Sequence, residues 1–141
     1  MVAPMVDVNY LAVLVAAVAS MAIGGLWYSP LLFGKIWMKL SGMDEKKIAA
    51  AKKKGMAASY VAAYIGSAAM AYVLAHFAKY AGAATPIEGA MAGFWAWLGF
   101  VVPLISGTVL WEGKPINLFI LKIAHYLVAL LVMGAIVAAW H

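Results

Sequence analysis

The sequence predicts an all-α polytopic membrane protein with four transmembrane helices and one short amphipathic interfacial helix. Three observations support this fold class: the composition, four long apolar runs and a single cluster of lysines. Of the 141 residues, 67% are hydrophobic and 11% are charged, which is too few polar side chains to cover a water-soluble globule. We therefore expect one membrane domain, residues 1–141, located in the cell membrane with the lipid bilayer around it.

The four apolar runs are each long enough to cross a bilayer, since a helix of about 20 residues spans the roughly 30 Å hydrocarbon core. Only helices satisfy their own backbone in lipid, and these runs are too long for barrel strands. The predicted spans are residues 8–28, 56–79, 87–111 and 116–140. A secretory signal peptide begins with basic residues, whereas Asp7 and no lysine precede the first run, so this span should remain in the mature protein.

The end of span one is predicted from four consecutive residues. Trp27 and Tyr28 are aromatic types that favour the headgroup level of membranes. Pro30 disfavours the helical conformation at Ser29 and so ends the first helix. Ser29 and Pro30 also match a serine N-cap followed by proline at the first helical position, which predicts that a second helix starts there.

The second helix, predicted over residues 30–40, is expected to lie in the plane of the membrane interface. Phe33 and Trp37 share one apolar arc, and Lys35 and Lys39 flank this arc one turn apart. Lysine side chains in such positions cover apolar surface with their methylenes and keep their ammonium groups in water. The candidate interfacial residues are therefore Trp27, Tyr28, Phe33, Lys35, Trp37 and Lys39.

Most of the lysines lie in the segment formed by residues 29–55. Seven of them fall between Lys35 and Lys54, Lys114 adds one in the third connection, and the opposite side has only Lys79. Lysine-rich connections are typical of the cytoplasmic side, so the segment is predicted to be cytoplasmic and both termini outside. Exposed lysines also attract an anionic leaflet by about 1 kcal/mol each, although the alternative is that they only fix the orientation.

Other helix ends carry recognisable signals. Asp44 is expected to cap a short polar helix, and Thr85 with Glu88 forms a capping box at the start of span three. Residues 111–115 make a connection so short that spans three and four must be antiparallel neighbours. Pro103 lies inside span three, where it removes one backbone donor and should kink the helix.

Small residues allow helices to approach closely in lipid, where no hydrophobic drive brings them together. They recur at four-residue spacing in span two and at the start of span three: Ser59, Ala63, Ser67, Ala71, Gly89 and Gly93. There are more such faces than four helices need internally, which favours a homo-oligomer packed through them. Four close-packed helices should also leave no internal aqueous path, so a pore is expected to require several protomers.

Span four carries the polar groups at membrane depth, which are functional candidates by default. They are Asn117, Lys122, His125 and Tyr126. One hypothesis is that this face lines a proton, ion or substrate path in which His125 titrates. The alternative is that Lys122 reaches the membrane surface, toward Glu112, while His125 is hydrogen-bonded between helices.

Several classes of chemistry have no signal in the sequence. The chain has no cysteine, no HExxH metal motif, no GxSxG elbow and no phosphate-binding glycine loop, and no carboxylate lies in the middle of a span. The sequence therefore predicts no catalytic residue, no metal site and no cofactor, and an embedded enzyme is the least favoured function. With no arginine and with its charge in one segment, the chain is not expected to bind nucleic acid.

One stretch, "LWYSPLLFGKIW" at residues 26–37, is the most specific in the chain, and "FWAWLGF", "LWEGKP" and "LVMGAIVAAW" follow it. Together they resemble the small four-span bacterial and archaeal membrane proteins grouped as a domain of unknown function, with the signature LWYSPLLFGKxW. The resemblance covers nearly the whole chain. It implies a four-helix membrane fold, but no activity and no catalytic residues.

Two functional hypotheses follow from these observations. The first is a homo-oligomeric, non-enzymatic membrane protein that forms a passive path or a transport-related assembly lined by the polar face of span four. The second is a scaffold or accessory subunit that binds a partner membrane protein or anionic lipid through residues 29–54.

Overall fold

The computed structural model describes residues 6–140, and every regular element in that range is a helix. The α-helices are α1 (Tyr10–Trp27), α2 (Gly34–Ser41), α3 (Glu45–Lys54), α4 (Ala57–Tyr80), α5 (Pro86–Ala96), α6 (Val102–Ile105), α7 (Gly107–Leu110) and α8 (Ile116–Ala139). A π-helical segment, Trp97–Val101, joins α5 to α6.

Four helical rods are long and apolar enough to cross a membrane: α1, α4, the stack from α5 to α7, and α8. Their ends lie within two residues of the predicted spans. The all-helical, four-span fold class is therefore confirmed. Residues 1–5 and His141, which the expected domain 1–141 includes, lie outside the described range.

Side-chain caps explain where several helices begin. The Asn9 side chain accepts a hydrogen bond from the Ala12 N–H at 3.2 Å at the start of α1. At the start of α3, Asp44 accepts from the Lys47 N–H at 2.7 Å, as predicted. The capping box predicted at the start of α5 is present in both of its hydrogen bonds. These caps satisfy backbone donors that a helix start leaves unpaired.

The predicted start of the second helix at Ser29 is wrong, because α2 begins at Gly34. Ser29 caps nothing there, and its Oγ donates instead to the Leu26 carbonyl at 2.7 Å. The intervening chain folds back onto the end of α1: the Phe33 N–H donates to the Trp27 carbonyl at 3.0 Å, and the Gly34 N–H to the Ser29 carbonyl at 2.9 Å. Backbone pairing within this turn therefore replaces the first turn of the expected helix.

The third span is interrupted where the sequence predicts a kink. Pro103 has no N–H to donate to the helical ladder. Immediately before it, the ladder changes to π-helical spacing, and the Val102 N–H donates to the Trp97 carbonyl five residues earlier. A π segment is a common way for a helix to absorb such a disruption.

Helix α8 is the central helix and packs against α5, α1 and α4, most extensively against α5. Glycines make the α5 contact possible. A Cβ on Gly89 would collide with the Gly134 carbonyl, and a Cβ on Gly93 would collide with the Leu130 carbonyl. Gly89 and Gly93 therefore pack against α8 of the same chain, so this small-residue face, which the sequence assigned to oligomer packing, is occupied internally.

Helices α1 and α4 converge on one side of the molecule, where Ala16 and Ala71 are fully buried. This side carries the α4–α5 connection and is called here the connection side. The opposite side carries α3 and is called the lysine side. Between them, the Ser67 Oγ donates to the Ser20 Oγ at 3.4 Å. Ser59 and Ala63, farther along α4 toward α3, are exposed. The predicted small-residue ridge of α4 is thus packed within the chain over only part of its length.

Candidate functional site

A cavity of about 1140 Å³ lies on the lysine side of the molecule between α1 and α4, with α2 and α3 around it. It forms because α1 and α4 separate beyond the Ser20–Ser67 hydrogen bond and no large side chain fills the gap. A single four-helix unit is therefore not filled throughout by side chains, whereas the expectation that it contains no aqueous path stays a prediction. The cavity lies within one protomer.

Methionines make up much of the apolar wall of the cavity. Five of the seven methionines in the described range line it: Met21, Met38, Met43, Met56 and Met70. Methionine is unbranched and polarizable, and it adapts its shape to what it contacts. The wall is therefore apolar and deformable.

His125 of α8 lines the cavity and is 9% exposed. Its Nδ1 lies 3.4 Å from the Tyr28 Oη, and the direction of this hydrogen bond depends on the imidazole tautomer. Its Nε2 faces Gly24, where a Cβ would lie 3.2 Å away, and has no hydrogen-bond partner within residues 6–140. An unsatisfied buried polar atom costs about 1–3 kcal/mol, so this position is not optimised for stability alone.

Three aromatic rings surround the imidazole. Ring centroids lie 4.7 Å away for Tyr126, 5.1 Å for Tyr28 and 6.1 Å for Trp27. The Trp27 Nε1 is also buried, and none of the residues that the structure describes forms a hydrogen bond with it. Two unpaired nitrogen atoms therefore lie within one aromatic cluster, which we define as Trp27, Tyr28, His125 and Tyr126.

Packing of α1 against α8 brings this cluster together, and the turn after α1 lies beside it. Gly34 is buried in the turn, and a Cβ there would lie 2.7 Å from the carbonyl oxygens of Tyr28 and Ser29. Only glycine fits such a close backbone approach. Farther along α2, the ring of Trp37 packs 5.7 Å from that of Tyr28. The residues from the end of α1 to α2 therefore fold around His125 of α8.

The end of α1 contacts α8 at a position far from the start of α8. His125 lies nine residues after Ile116, which corresponds to about 14 Å of helical rise. Trp27 and Tyr28, expected at the headgroup level, contact this position and are half-buried in the fold. The sequence did not predict this contact, because no local signal connects residues almost a hundred positions apart.

The four polar residues predicted on span four do not stay together. His125 and Tyr126 line the cavity. Lys122 is half-buried outside the cavity wall, and Asn117 is exposed near the start of α8. The site therefore combines half of the predicted polar face with residues from α1 and α2.

Charged side chains lie at the lysine end of the cavity. Lys35, Lys52 and Glu45 are part of its wall. Every residue of α3 is exposed or half-buried, and its lysines outside the cavity wall face the surroundings: Lys46, Lys47, Lys53 and Lys54. Within residues 6–140, no three His, Cys, Asp or Glu side chains are grouped so as to hold a metal ion.

A second cavity of about 680 Å³ lies between α4 and the α5–α7 stack. Its wall is apolar and includes Phe77, Phe100 and Leu104. Met70 and Tyr126 line both cavities, so these two side chains form the wall between them.

Comparison with known proteins identifies a family but no individual relative. No match was found among curated proteins or among solved structures. The family model described as "Protein of unknown function (DUF1761)" matches residues 11–138, a range that includes all four spans from α1 onward and the whole aromatic cluster. The chain therefore belongs to the DUF1761 family.

Proposed function

We propose that this protein is a transport-related membrane protein that takes up a small molecule into the cavity beside His125. One observation carries the proposal. The cavity extends from Lys35 and Lys52 on the lysine side to a buried histidine about 14 Å along α8, whose Nε2 has no hydrogen-bond partner in the described part of the chain. Membrane-embedded cavities that contain a convergent polar group are default binding-site candidates.

The packing on the connection side supports transport over simple binding. There, α1 and α4 meet through alanines such as Ala12, Ala16 and Ala71, which are almost fully buried. Separation of the helices would displace few large side chains at these positions, although Val13 and Leu74 lie in the same core. Separation of the two helices beyond Ser20 and Ser67 would connect the cavity with the connection side and form a passive path.

The proposal includes the predicted orientation, with residues 29–55 in the cytoplasm and the termini outside. It is supported by the lysines of the connecting segments, since eight lie on the lysine side and one on the connection side. The cavity would then receive its ligand from the cytoplasm. A homo-oligomer is also proposed, supported by the exposed small residue Ser59 on α4, a part of the predicted ridge that lies outside the cavity wall and that the chain leaves unpacked.

A scaffold function through residues 29–54 is the second candidate. It is supported by the exposure of α3, which has three lysines in its last turn and no residue packed in the core. Such a helix suits attraction to an anionic membrane surface or an acidic partner. A scaffold needs neither a wet cavity nor any opening between α1 and α4.

Cysteine accessibility tests the transport proposal, because the natural chain has no cysteine. Ala63 lines the cavity, whereas the adjacent Ala62 is exposed outside the cavity wall. Ala63→Cys should react with a charged, membrane-impermeant thiol reagent in lipid vesicles when the reagent reaches the lysine side. Ala62→Cys, the matched control, should not react because it faces lipid.

Opening on the connection side is tested at Ala16, which is 0% exposed. Ala16→Cys should react slowly with the same reagent added on the connection side. Ala138→Cys, at a similarly buried position in the contact between α8 and Gly89 of α5, should stay unreactive. A reactive Ala63→Cys with a fully inert Ala16→Cys would contradict transport, and equal reactivity at positions 62 and 63 would contradict the cavity itself.

A further inference from the structure

We infer that the ligand of this cavity is a long-chain carboxylate, with its carboxylate at Lys35 and Lys52 and its hydrocarbon chain along the methionine wall. This inference rests on the proposed function and assigns the chemical class of the small molecule. Three features carry it: the position of the charges, the nature of the wall and the size of the cavity.

The charges favour an anion. Lys35 and Lys52 line the cavity against one carboxylate, Glu45. The neighbouring chain strengthens this bias, since seven lysines lie between positions 35 and 54 and only Asp44 and Glu45 oppose them. Aromatic rings can also bind cations, but this excess of lysine repels a cationic head group.

The wall favours a flexible hydrocarbon chain. Met21 and Met70 line the deep part of the cavity beside the aromatic cluster, and Met38, Met43 and Met56 line the part nearer the lysines. Methionine side chains adapt to flexible apolar ligands better than branched side chains do. A small inorganic anion would leave this apolar surface uncovered.

The size and the far wall of the cavity suit a long chain. The volume of about 1140 Å³ exceeds the roughly 300–1000 Å³ of most ligand pockets, so a long hydrocarbon chain fits. Met70 and Tyr126 separate this cavity from the second one, so a chain that enters beside the lysines would end against them.

Palmitate is a suitable probe, with protection of Ala63→Cys from the thiol reagent as the readout. The protein is placed in nanodiscs of neutral phosphatidylcholine, so that the disc itself offers no anionic head group. Palmitate should slow the labelling of Ala63→Cys several-fold, whereas dodecyltrimethylammonium, a cation with a comparable tail, should not.

The lysine assignment is tested with two variants that lose the same charge. Lys35→Gln with Lys52→Gln removes the lysines of the cavity wall. Lys39→Gln with Lys53→Gln removes two lysines of the same segment that lie outside the wall. The first pair should weaken protection by palmitate roughly tenfold or more, since lysines close to an anion contribute most to its attraction. The second pair should leave it nearly unchanged.

The outcomes separate the inference from the function on which it rests. If Ala63→Cys is not labelled at all, the proposed function fails. If it is labelled but palmitate gives no protection, or if both lysine pairs weaken protection equally, the proposed function stands and the carboxylate inference is overturned. If phosphatidylglycerol in the disc protects as well as palmitate does, the ligand is a bilayer phospholipid, which also overturns it.

Discussion

At the residue scale, close backbone approaches determine this fold more than large side chains do. Gly89 and Gly93 of α5 leave no space for a side chain against α8, and Gly134 is equally close to Gly89. In lipid, such contacts provide van der Waals attraction that the hydrophobic effect does not supply. By contrast, Gly66 of α4 has no atom of the described residues within 4 Å of the position of a Cβ, although it also lies inside a helix.

This difference predicts opposite effects of one substitution. Gly93→Ala should destabilise the protein by roughly 1–3 kcal/mol, because the added methyl forces α5 away from α8. Gly66→Ala, the control, should leave stability unchanged or raise it by up to about 1 kcal/mol, because alanine favours a helix. Thermal unfolding in one detergent measures both, and equal melting temperatures for the two variants would contradict the assigned contact.

At the element scale, the small-residue face of α4 has two structural roles at its two ends. Its Ala71 end packs against α1 and α8, and its Ala63 end forms cavity wall. The sequence shows a uniform four-residue repeat and gives no reason to divide it. The division follows from the paths of α1 and α4, which separate beyond Ser20 and Ser67.

Enlarging the ridge at its two ends should therefore have different consequences. Ala71→Leu should lower stability by about 1–3 kcal/mol, since Ala71 is fully buried. Ala63→Leu should change stability little but reduce the cavity volume and any ligand binding. Thermal unfolding with a binding assay separates these effects, and a larger loss of stability at position 63 would be inconsistent with the structure.

The sequence predicts local features of the elements well. Apolar length predicts the four rods, the side chains of Asp44 and Thr85 predict helix starts, and Pro103 predicts the disruption of span three. Contacts between distant segments carry no such local signal. Tyr28 and His125 meet because α1 packs against α8, and the turn closed by Gly34 displaces the start of α2.

At the scale of the whole molecule, the arrangement is a bundle around α8 that is closed on the connection side and open on the lysine side. The cavity and the lysine-rich segment therefore lie on the same side of the protein. In the proposed orientation this side is cytoplasmic. The aromatic cluster then lies between the cytoplasm and the tightly packed α1–α4 contact.

The orientation is testable at two exposed positions. Ala50 lies in α3, and Ala84 lies in the connection between α4 and α5. In intact cells, an impermeant thiol reagent should label Ala84→Cys but not Ala50→Cys, and permeabilisation should make position 50 reactive. Labelling of position 50 from outside would show that the lysine segment is external and would reverse the proposed direction of uptake.

The central claim is that one protomer contains a water-accessible cavity that reaches the aromatic cluster. Its most direct test places a spin label at position 62 or position 63 of α4 in nanodiscs. The relaxation of each label is then measured with a water-soluble nickel compound and with oxygen, which concentrates in lipid. The two positions are adjacent, so they differ in depth by only about 1.5 Å. If the cavity holds water, the label at Ala63 is relaxed mainly by nickel and the label at Ala62 mainly by oxygen. Dominant relaxation by oxygen at both positions would contradict it.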